Sequence, residues 1–245
     1  MTVAISEIVR NGILFDLKNW HQRMSNLENF DQIIDNLFNT LSERNINYLL
    51  VGGVALLSYV EGRNTQDIDL ILSRSELEAL PEVAIAEENK DFIRGRFQQL
   101  IVDILLTQNQ LFAQISQQFA TVRQFGDLRI RCVDVEGLVI LKFYALPSLY
   151  RQGKFDRVSI YENDILLLLL NYDVDLEQVF QVLSNHLLPR VLEKVKGICA
   201  DLESRLKRFQ LQQQRLEWES ENDSHLHFSY KTRTFGFTDC TILFV

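Results

Sequence analysis

Cysteine is scarce and scattered. Only Cys132, Cys199 and Cys240 occur in 245 residues, and no CxxC or Cys/His ligand spacing is formed. That argues against a structural zinc site, and an odd, dispersed count suits a reducing compartment. An excess of positive charge is lacking too: the formal net charge is -8 and the pI about 5.1. Such a chain is not a bulk nucleic-acid coat protein, although local basic patches are compatible with it. Long apolar runs are missing. Leu49 to Val60, interrupted by Ser58 and Tyr59, and Ile165 to Leu170 are the longest, and both are too short to cross a bilayer. Met1 to Trp20 has no Lys/Arg-led apolar core before a small-residue cleavage site, so no signal peptide is expected, and the expected location is the cytoplasm. No G-x-S-x-G or Cys/His nucleophile arrangement points to acyl transfer. His21, His186, His225 and His227 show no metal-ligand spacing with carboxylates.

What is present is an ordinary globular balance, 47% hydrophobic and 24% charged, in a chain long enough for one large or two small domains. Phe30, Ile33, Ile34, Leu37, Phe38 and Leu41 recur at helical spacing. Strands are expected at Tyr48 to Val51, Asp67 to Leu72, Phe92 to Phe97 and Leu100 to Leu106, with a short helix from Val54 to Tyr59. Ser73 or Ser75 is suited to cap a further short helix. A helix over Leu111 to Phe119 and a hairpin turning at Gly126-Asp127 follow. After Asp134 the pattern is helical: Val135 to Leu146 stopped by Pro147, Asn163 to Tyr172, Leu176 to Leu187, and a long amphipathic stretch from Leu188 to Phe209. The expected fold class is therefore α/β (α+β), with a small mixed-sheet domain over 1–134 that includes an N-terminal helix, a helical domain over 135–210, and a tail, 211–245, of uncertain structure. An edge strand at Ile242 to Val245 is one option for that tail.

Three acids stand out. Asp67 and Asp69, two apart on a strand, project from one face while Ile68 and Leu70 enter the core. Like charges that close raise each other's pKa unless compensated, and a divalent ion is the simplest compensation. The alternative is a solvated edge. Asp103 interrupts an otherwise apolar strand, where an unpaired carboxylate is costly. It either completes a metal site with the first two, lies at an exposed strand end, or pairs with Arg94 or Arg96. Gly52-Gly53 after a buried strand permits close backbone approach, and the helix that follows points N–H groups at an anion, a phosphate cradle without a Walker lysine. Lys142 on an apolar helix is either a point charge for phosphate or a snorkelling surface side chain. Asp164 suits a helix cap as well as a catalytic role, and Arg63 either meets phosphate or steadies its loop. Basic residues from Arg190 to Arg208 form a solvated face or guide an RNA or an acidic partner.

The order strand, Gly52-Gly53, Asp67-Ile68-Asp69, then a later strand with Asp103, resembles the polymerase-β-like nucleotidyltransferase superfamily. It is most similar to the AbiEii-like toxin nucleotidyltransferases of bacterial toxin–antitoxin and phage-defence systems. Gly62-Arg63-Asn64-Thr65 resembles the lead-in of that branch. Val102-Asp103-Ile104-Leu105 resembles its third-carboxylate strand, Val139 to Leu146 its lysine-bearing helix, and Tyr161 to Leu166 its later Asp-containing helix. The resemblance spans Asn47 to Leu170. It departs from the family at Ile160, where many members place Lys/Arg-Asp and where this chain instead has Lys154-Phe155-Asp156-Arg157 just upstream. The resemblance implies transfer of a nucleoside monophosphate from an NTP to a hydroxyl acceptor: a tRNA 3′ end, a protein side chain or a small molecule. It implies two Mg²⁺ ions, or Mn²⁺, on Asp67, Asp69 and Asp103, and nucleotide contacts from Gly52, Gly53, Arg63, Thr65 and Lys142. It also implies a cognate antitoxin as partner. The alternative is a catalytically silent nucleotide-binding or antitoxin-like interaction module of the same fold.

Overall fold

A computed structural model describes residues 4–5, 7–9, 30–61 and 65–231. Arg63, His21, Cys240 and the strand expected at 242–245 lie outside the described residues. The chain divides into two compact units, Met1–Ile198 and Cys199–Val245.

In the first unit, α1 (Phe30–Glu43) buries Ile33, Ile34, Leu37, Phe38 and Leu41. The helix ends where Asn45 takes a left-handed conformation, φ 51°, and the Ile46 N–H returns to the Leu41 carbonyl at 2.9 Å, a C-terminal closure that asparagine tolerates. The sheet then forms from β1 (Leu49–Val51), β2 (Asp67–Leu72), β3 (Val83–Glu88), β4 (Phe92–Phe97), β5 (Leu100–Leu106), β6 (Ala120–Phe125) and β7 (Leu128–Val133). Its order is β3-β4-β5-β2-β1-β7-β6. β2 pairs antiparallel to β1 and parallel to β5, so the sheet is mixed. Short helices α2 (Gly52–Leu57), α3 (Arg74–Glu78) and α4 (Gln110–Gln118) link the strands. Ser73 caps α3, its hydroxyl accepting the Glu76 N–H at 3.1 Å. The mixed α/β class expected from the sequence is the one observed.

The helices that follow are longer than their apolar patterns. α5 (Val135–Arg151) runs through Pro147 instead of stopping there. An interior proline costs a helix about 3 kcal/mol, but Leu146 and Leu149 are buried on either side of it, and their packing holds the last turn. α6 (Phe155–Asn171) begins well before Asn163. Its first half is largely exposed, with Phe155 at 64% and Ile160 at 44%, so no buried periodicity announced it. β3 was not anticipated, because after Val83 every residue of this edge strand is exposed. α7 (Leu176–Ser184) and the start of α8 (Pro189–Lys231) complete the unit.

The second unit, as far as it is described, is the continuation of α8, which reaches Lys231. The tail left without structure from 211 is thus helical to that point. Glutamine, glutamate, leucine and arginine are good helix formers, and 211–231 contains neither glycine nor proline.

Candidate active site

The site is written in strand register. Arg94 on β4 stands opposite Asp103 on β5, Asp103 stands beside Asp69 on β2, and Asp69 stands opposite Val51, the last residue of β1. Neighbouring strands lie about 4.8 Å apart, so side chains in this row stand side by side. Asp67, two residues before Asp69, shares its face. The result is that carboxylate oxygens of Asp67, Asp69 and Asp103 lie within 4.8 Å of one another. Asp67 and Asp69 are half-buried, and Asp103 is 5% exposed. The solvated-edge reading of Asp67 and Asp69 and the exposed-end reading of Asp103 both fall away.

Each acid is held. The Thr65 hydroxyl, itself buried, donates to Asp67 Oδ1 at 2.8 Å. Gly53 N–H donates to Asp69 Oδ2 at 3.4 Å. Arg94 grips Asp103 in a two-point ion pair, Nε to Oδ1 at 2.7 Å and Nη2 to Oδ2 at 2.5 Å, and this bonding pushes the arginine pKa above its ordinary value. The ion pair and the acidic trio, alternatives in the sequence, exist together.

Gly52 explains the glycine pair. Its φ is +67°, and a Cβ there would sit 1.9 Å from Asp69 Oδ2. Only glycine lets β1 turn into α2 directly beneath that carboxylate.

These residues open onto a cleft of about 460 Å³, within the range of small-molecule sites. Its second wall comes from α5 and α6. Leu138, Leu141, Lys142 and Ala145 face it at i, i+3, i+4, i+7 spacing, and Arg157, Ile160 and Tyr161 face it from α6. Phe92, Phe112 and Tyr144 add aromatic surface; the last two meet edge to face at 6.0 Å. Lys142 is 4% exposed, so it does not snorkel. Its ammonium donates to Asp164 Oδ2 at 2.7 Å and lies 4.7 Å from the Tyr161 ring centroid. Asp164 is 1% exposed in the second half of α6 and caps nothing. A polar groove of about 580 Å³ adjoins the cleft, shares Phe92 and Arg157 with it, and is also lined by Arg94.

Three carboxylates with converging oxygens fit a hard divalent cation such as Mg²⁺ or Mn²⁺. The sequence reading missed Tyr144, Tyr161, Phe92 and Arg157. For Arg157 and Tyr161 the signal was the helical spacing that places them on one stripe with Asp164. The basic run on α8 includes the exposed pair of Lys196 and Glu193 at 3.0 Å, as a solvated face would. Among the described residues, no helix is long and apolar enough to cross a membrane.

The chain matches no protein-family model and no curated protein. Some solved structures are similar to it at low identity. A nucleotidyltransferase-like protein from Paracoccidioides brasiliensis is 15% identical, with a TM-score of 0.44 over 70% of this chain and 91% of the other. The antibiotic-resistance factor ANT(2″)-Ia, in complex with adenylyl-2″-tobramycin, is 18% identical, with a TM-score of 0.41 over 71% and 98%. The lincosamide antibiotic adenylyltransferase LnuA, lincomycin-bound, is 13% identical, with a TM-score of 0.36 over 44% and 83%.

Proposed function

We propose that this protein is a divalent-metal-dependent nucleotidyltransferase that moves a nucleoside monophosphate from an NTP to a hydroxyl acceptor. The observation that carries this reading is the convergence of Asp67, Asp69 and Asp103 at the floor of a nucleotide-sized cleft, beside the Gly52 turn. In the reaction, the acceptor oxygen forms a bond to the α-phosphorus, the bond from that phosphorus to the bridging oxygen breaks, and pyrophosphate leaves with the electron pair. Bound Mg²⁺ would supply positive charge to the phosphates at the moment of displacement.

The chain's own residues do the rest. Asp67 and Asp69 bind and orient, and Thr65 fixes Asp67. Asp103 assists removal of the acceptor's hydroxyl proton. Gly52 and Gly53 approach the phosphates, the sequence resemblance assigns Arg63 a further phosphate contact, and Lys142 contributes a positive charge whose position Asp164 holds. Tyr144, Tyr161 and Phe92 offer ring faces to a nucleobase. Catalysis here is positioning and electrostatics in a partly dry cleft. Residues 1–134 act as the transfer module and 135–210 as its helical cover. The acceptor is a tRNA 3′ end, a protein hydroxyl or a small molecule. The biological setting we propose is a cytoplasmic AbiEii-like toxin or phage-defence factor with a cognate antitoxin.

The test is label transfer. Each α-labelled NTP is incubated with the protein, Mg²⁺ and total cell extract, beside Asp67→Ala/Asp69→Ala. Label should move only with the wild type, and the labelled product names the acceptor. Equal transfer in both, or in neither, removes the enzymatic reading. A second reading draws on the Arg94 clamp: with both oxygens of Asp103 engaged, the site would suit a silent nucleotide-binding module. Saturable NTP binding without transfer would select it.

A further inference from the structure

The acidic trio is not a set of three equivalent ligands. Asp103 accepts two hydrogen bonds from one guanidinium, one on each oxygen. The pair is built into the backbone, since Arg94 and Asp103 are register partners in an antiparallel hairpin. Asp103 is nearly buried, whereas Asp67 and Asp69 are half-exposed to the cleft. A buried carboxylate gripped at two points is expensive to uncouple, because release leaves a charge unpaired. Arg94 therefore offsets one of the three negative charges, and the face keeps two, the charge of one divalent ion.

We propose that Arg94 is a positioning residue that stands in for one metal ion: in the nucleotide-free protein Asp67 and Asp69 hold a single divalent cation, while Asp103 is held by Arg94. The second ion expected from the sequence needs Asp103 uncoupled from the guanidinium. This inference rests on the metal-dependent reading above and goes beyond it, since it sets the number of ions and ranks their ligands. Arg94 also lines the polar groove beside the cleft. Its partner Asp103 lines the cleft itself, so the ion pair lies between the two.

The experiment is Mn²⁺ titration of the full-length protein without nucleotide, following the paramagnetic resonance signal of free Mn²⁺. Wild type should take one tight ion per chain. Asp67→Asn or Asp69→Asn should weaken it by about tenfold or more, the effect of removing one charge within a few ångströms of a divalent ion. Arg94→Gln should tighten binding by a similar factor or add a second site, because Asp103 is then released to the trio. Arg94→Gln/Asp103→Asn removes the pair together, leaves no carboxylate unpaired, and should restore wild-type affinity to within about threefold. The proposal is overturned if wild type binds two tight ions, if Arg94→Gln leaves binding unchanged, or if the double variant loses affinity as Asp67→Asn does. Binding indifferent to Asp67 and Asp69 would instead remove the metal-dependent reading itself, so the two failures are distinct.

Discussion

At the scale of single residues, Gly52 shows how tightly the site is made. It combines a positive φ with a Cβ position already filled by Asp69. Gly52→Ala should lose stability by about 2 kcal/mol or more, from left-handed strain together with overpacking, and should displace Asp69 and abolish tight Mn²⁺ binding. Urea unfolding and the metal titration check the two halves of this expectation. From the sequence the glycines read as a phosphate cradle. Close passage beneath a carboxylate from another strand is a different reason for the same residue, and only the register of Asp69 against Val51 exposes it. Asp103 is a similar case. Its apolar setting was legible in the strand, and its clamp by Arg94 was one open alternative. That clamp and trio coexist follows from two neighbours, β4 and β2, on opposite sides of β5.

At the scale of elements, α5 and α6 are joined by the buried Lys142–Asp164 pair. Removing one member takes the buried ion-pair partner from the other, so Lys142→Met or Asp164→Leu should each cost about 3–5 kcal/mol. Lys142→Met/Asp164→Leu should cost clearly less than either single change, as denaturant unfolding of the three variants would show. The period of α5 leaves Lys142 open between a surface lysine and a phosphate contact, since helical periodicity reports a face without saying what lies against it. Boundaries were harder to read for the same reason. Pro147 should end a helix on local grounds, yet packing of Leu146 and Leu149 carries α5 past it. The exposed first half of α6 and the exposed strand β3 left no apolar pattern, because neither buries a continuous face.

At the scale of the molecule, the site links residues far apart in the chain, and the unfolded protein cannot assemble it. Mg²⁺ should therefore stabilise the native state: at 100 times its Kd the gain is about 2.7 kcal/mol, or roughly 5–10 °C in Tm for a chain of this size. Calorimetry with and without Mg²⁺ should show that shift in wild type, and Asp67→Ala/Asp69→Ala should show none. The sequence by itself determined the mixed α/β class, most of the central strands and the identity of the three acids, since alternation, β-branched runs and a charge inside an apolar strand are local signals. Only the tertiary structure decided that the acids converge, that Arg94 shares Asp103 with them, that Gly52 exists for Asp69, and that Lys142 is spoken for by Asp164. Those outcomes depend on which strands become neighbours and in what register, and no stretch of chain contains both partners' geometry.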